Sequence, residues 1–91
     1  MDTFDAQTYR ALADAQAAIN SIKSDIANGK LTATPTIKAV LNQAIMDYNA
    51  ANVLWQQYHA SGGKTAQAPI TAATNKVQTD VGQLVTTGGG Q

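Results

Sequence analysis

Apolar residues recur along this chain at alternating steps of three and four, the spacing that puts them on one face of an α-helix. The first such stripe is Leu12, Ala15, Ile19, Ile22 and Ile26, which predicts a helix from about Asp5 to Asn28. Asp2 or Thr3 can cap its start, and Asp5 suits the positive end of the helix dipole. Asn28-Gly29 is a natural stop, with Gly29 at the left-handed position after the last turn.

The second stripe is the most regular. Ile37, Leu41, Ala44, Tyr48, Ala51, Trp55 and Tyr58 follow one another without a fault. Thr34-Pro35 reads as an N-cap with proline at the first helical position, and Ser61-Gly62-Gly63 closes the segment after Ala60. The third stripe is Ile70, Ala73, Val77, Val81 and Leu84, with Val85 beside it. Its start has two readings: Thr65 caps it with Pro69 in the first turn, or Pro69 opens it. Gly82 and five threonines from Thr71 to Thr87 weaken it locally, so it needs tertiary contacts to persist. Gly88-Gly89-Gly90 stops it.

Short connections favour antiparallel neighbours. The expected fold is therefore all-α: a small three-helix up-down-up bundle, or a long helical hairpin with a third packed helix. Residues 1–87 make a single helical domain and 88–91 a flexible Gly-rich tail.

On a helical wheel, Met46 and Val53 fall nearly opposite the apolar stripe of the second segment, with Ala39 and Ala50 near them. Three readings follow: the segment is sandwiched within the chain, the back stripe meets another protein, or the two residues are merely scattered on the surface. The second reading names Met46 and Val53 as partner contacts, with Asn49 and Gln57 as polar rim.

Composition shapes the rest. Only 13% of residues are charged, Lys+Arg and Asp+Glu number 6 each, and there is no cysteine. Glutamate is absent, so the polar surface is chiefly Thr, Gln and Asn. Weak surface charge puts little repulsion between copies. The basic residues are spread along the chain, which argues against a nucleic-acid surface. No apolar run is long enough to insert into a membrane. The N-terminal residues lack the pattern of a signal peptide, so a cytoplasmic location, or residence in an intracellularly assembled particle such as a virion, is expected.

Candidate chemistry is sparse. Gly63-Lys64-Thr65 looks like the end of a phosphate loop, but Tyr58 stands where that loop needs glycine. His59 is the single histidine, and Asp47 lies too far along the same helix to orient it. Trp55, Tyr58 and Tyr48 share the core stripe. Paired carboxylates would require two segments to converge, which no local pattern signals. The sequence thus predicts no catalytic, cofactor or metal site and no small-molecule ligand. It points to a non-enzymatic structural, assembly or accessory protein that makes helix-face contacts with protein, as a homo-oligomer or in a larger assembly. The alternative is a monomeric helical binding module or inhibitor with the Tyr58–Lys64 end as its edge.

Overall fold

Residues 3–89 are described by the computed structural model, and its elements follow from the stripes. Helix α1 spans Thr3–Ala27, α2 Pro35–Ala60 and α3 Ala68–Leu84, with a π-helical turn at Val85–Gly89. The three helices form an up-down-up bundle measuring 44 × 18 × 17 Å, with no strand among the described residues. Asp2, as a possible cap, and Gly90 and Gln91, of the expected tail, lie outside the described residues. Gly88 and Gly89 belong to the π-helical turn.

The ends of α2 are set by local chemistry. Thr34 is extended and its Oγ1 accepts the Ile37 N–H at 3.2 Å, while Pro35 occupies the first turn, where its missing N–H costs nothing. At the other end Gly62 and Gly63 take φ values of 72° and 89°, and the Gly63 N–H donates to the Tyr58 carbonyl at 3.0 Å. Gly29, at φ 76°, reverses the chain after α1. Glycine takes this left-handed backbone without the Cβ clash that penalises other residues.

The start of α3 keeps Pro69 in the first turn, as one reading of the sequence had it, but its cap is different. The helix begins at Ala68, and Gln67 at its cap position is already in helical conformation with no capping side-chain bond. Thr65 is not the cap, and Pro69 sits within the first turn. What fixes this end is tertiary: the Gln67 side-chain amide donates to the Tyr58 hydroxyl at 3.0 Å.

The core has two layers. Leu12, Ala15, Ala51 and Val77 form one, and Ile19, Ile22, Ala44 and Leu84 the other. Each layer draws on all three helices. Ala44 and Ala51, both wholly buried, are the α2 contribution, and their small size lets α1 and α3 close in. Partly buried Leu41, Tyr48, Trp55 and Val81 pack around these layers. Tyr58 is sealed between α1 and the α2–α3 connection, with the Phe4 ring edge-on at 5.1 Å.

The inward face of α3 is more polar than its apolar stripe implies. Thr74 and Asp80 are buried along with Ile70, Val77 and Leu84. Ala73 and Val81 are only partly buried against the core, and Val85 is exposed.

Candidate functional site

Two polar clusters and one outer face are the features that could carry function. The first cluster joins the start of α1 to the end of α2. Asp5, read from the sequence as a helix-start residue, is buried. Its Oδ1 accepts the Trp55 indole N–H at 2.7 Å, and its Oδ2 lies 2.7 Å from His59 Nδ1. An ionised carboxylate can only accept, so this contact assigns the ring proton to Nδ1. The His59 ring stacks on Trp55 at 5.3 Å between centroids, and Tyr9 covers Trp55 at 5.4 Å. These contacts clamp α1 onto α2. His59 is therefore oriented within one chain after all, by Asp5 rather than by a residue of its own helix.

The second cluster lies between α2 and α3, where Asp47 and Asp80 face each other within hydrogen-bonding range. This is the convergence of carboxylates that the sequence did not signal. The Gln43 amide donates to both Asp47 oxygens at 3.0 and 3.1 Å, and Lys76 Nζ stands 3.5 Å from Oδ1. Burial, and then the hydrogen bond and charge of Asp47, push the Asp80 carboxyl up to about 6. Asp47 is held below the usual carboxylate range, first by its hydrogen bond to Asp80, with Gln43 and Lys76 adding to the effect. Two close carboxyls share one proton more readily than they carry two charges. The Asp80 Oδ2 atom is buried without a hydrogen-bond partner, as is Thr74 Oγ1.

A depression of about 610 Å³ lies away from both clusters, lined by Val40, Gly82, Gln83, Thr86 and Thr87, none of them titratable near neutral pH. Among the described residues no group of three or more His, Cys, Asp or Glu side chains could hold a metal ion. No described helix is long and apolar enough to cross a membrane.

The outer face of α2 is where the sequence placed its candidate contacts. Met46 is 64% exposed and Val53 50%. Asn49 and Gln57 are exposed on the same side. No described helix covers them, so among the described residues α2 is not sandwiched between helices on both sides. From Ala39 to Ala60, α2 holds Asp47 as its one Asp, Glu, Lys or Arg, and that side chain is turned against α3 with only 12% exposure. The exposed strip around Met46 and Val53 therefore carries alanines and side-chain amides but no charge. The Tyr58–Lys64 end is a poorer edge than its sequence suggested, because Tyr58 is buried.

No protein-family model matches the chain, and neither a curated protein nor a solved structure is significantly similar to it.

Proposed function

We propose that this chain is a non-enzymatic structural or accessory protein whose outer α2 face makes protein–protein contacts in an assembly. One observation carries the reading: Met46 and Val53 stand exposed, seven residues apart, on a helix face without charge. Two apolar side chains two turns apart line up along a helix, and covering them removes apolar surface from water. The absence of charge means that a partner need not desolvate ions to pack there. The low overall charge and the Thr, Gln and Asn surface suit a subunit of a larger particle, a virion included.

The test is mass in solution by light scattering over a wide concentration range, for the native chain and for a Met46→Asp, Val53→Asp double variant. The native mass should rise with concentration. The variant should remain monomeric with unchanged helicity by circular dichroism. A native chain that stays monomeric throughout, or a rise that the double variant shares, overturns assembly through this face. The monomer would favour a binding module instead.

A further inference from the structure

The outer face of α2 reads nearly the same in both directions. Met46 and Val53 stand equally far from the midpoint between Asn49 and Ala50, and so do Ala39 and Ala60. All six residues are exposed. We infer that the partner for this face is a second copy of the chain, docked α2 against α2 in antiparallel orientation, with the two-fold axis passing beside Asn49 and Ala50. This inference rests on the reading of α2 as the contact face and adds the identity and orientation of the partner.

The argument is one of complementarity. A two-fold antiparallel pairing sets each residue level with the one equally far beyond the axis, while next to the axis a residue to one side of the seam faces its own counterpart on that side. Met46 of one copy then meets Val53 of the other, at both ends of the contact centre. Ala39 meets Ala60, so the backbones can approach closely where the helices would otherwise be held apart. At the axis Asn49 faces Asn49 of the second copy, and a pair of side-chain amides can both donate and accept. Ala50 faces its own counterpart on the other side of the seam. Every apolar group is matched to an apolar group and the central amide to an amide, with no like charges brought together. A parallel pairing would instead set Met46 on Met46 and Val53 on Val53, with no use for the symmetry of the sequence about its centre.

The helix between Ala39 and Ala60 is about 30 Å long. A single helix-to-helix contact of that length is at the small end of specific interfaces, so the dimer should be weak and its population concentration-dependent.

The chain has no cysteine, so disulfide trapping reports geometry against a silent background. Four single variants are needed: Ala50→Cys, Ala39→Cys, Ala60→Cys and, as a collisional control on the exposed side of α1, Ala13→Cys. Under mild oxidation at a concentration where mass is rising, Ala50→Cys should form covalent dimers faster than the control. Ala39→Cys and Ala60→Cys should each stay at the control rate alone and cross-link when mixed. Rapid self-cross-linking of Ala39→Cys and of Ala60→Cys would establish a parallel pairing and overturn the inference. An Ala50→Cys rate no greater than the control would overturn it too. The parent reading is judged separately by light scattering. A rise in mass abolished by Met46→Asp, Val53→Asp, together with the wrong cross-linking pattern, would retain the contact face and discard its antiparallel geometry.

Discussion

Asp5 and His59 meet at 2.7 Å across 54 residues of sequence, and the same carboxylate receives the indole N–H of Trp55. The first turn of α1 is thereby fixed to the last turns of α2. The Asp5 side chain is only 7% exposed, whereas that of His59 is 50% exposed. The ring screens the carboxylate from solvent on one side while remaining in contact with water itself.

Removing the Asp5 carboxylate should therefore destabilise the bundle well beyond the value of an exposed ion pair. In Asp5→Ala the Trp55 N–H loses its 2.7 Å acceptor and keeps only the longer contact to the residue 5 backbone carbonyl at 3.3 Å, and His59 loses its orienting partner. The expected loss is about 2 kcal/mol. Asp5→Asn should lose less, because its amide can still accept from Trp55 and can donate to the other tautomer of His59. The chain has one tryptophan, and it sits in this cluster, so urea denaturation followed by its fluorescence measures both variants. Equal stability of Asp5→Ala and the native chain would show that the clamp adds nothing.

Thr74 makes a prediction of opposite sign. Its Oγ1 is buried with no hydrogen-bond partner, so folding strips water from the hydroxyl without replacing it. Thr74→Val keeps the branched shape and removes the polar atom. It should stabilise the protein by about 1 kcal/mol, seen as a higher urea midpoint with an unchanged slope. A lower midpoint would mean that the hydroxyl has a partner that matters.

How much of this could be read in advance follows from the range of each interaction. The stripes locate all three helices because apolar periodicity is a local property, and Thr34-Pro35, Gly29 and Gly62-Gly63 mark their ends through chemistry confined to a few residues. The exposure of Met46 and Val53 was legible in part, since their angle on α2 opposes its apolar stripe. The start of α3 was not legible, because Gln67 provides no capping side chain and is held from outside the helix by Tyr58. Nor could periodicity find Asp5 with His59 or Asp47 with Asp80. Each pair depends on the rotation and register of two packed helices, which no single helix encodes. Thr74 was passed over in favour of Ala73 because a residue-type pattern counts threonine as polar, although the residue is buried.

Gly82 offers a gain without any change in packing. It lies inside α3 with no positive φ, and a Cβ built there meets nothing within 4 Å. Gly82→Ala should stabilise the protein by about 1 kcal/mol, through better helix propensity and a less disordered unfolded chain. For a domain of this size that is a rise of roughly 4–8 °C in Tm, measurable by thermal circular dichroism. No rise would imply that the α3 backbone at Gly82 needs conformational freedom.

The Asp47–Asp80 pair predicts how stability depends on pH. Asp80 is raised from 3.8 to about 6 in the folded protein, so between those values the folded chain holds a proton that the unfolded chain releases. Its contribution is complete below pH 3.8 and is lost as pH rises through about 6. Asp47 works the other way: its value is lowered from 3.8, so its contribution is present above that pH and is lost on further acidification. From this pair alone, stability should be greatest near pH 4–5 and lower at pH 7, by something on the order of 2 kcal/mol. Asp80→Asn isolates the effect, since the amide can donate to Asp47 at every pH but has no proton to lose. Its stability relative to the native chain should improve steadily from pH 4.5 to pH 7, read from urea midpoints at each pH. A constant difference between the two proteins would mean that the Asp80 proton is released before folding can exploit it, and that the buried pair carries two charges with Lys76 as sufficient compensation.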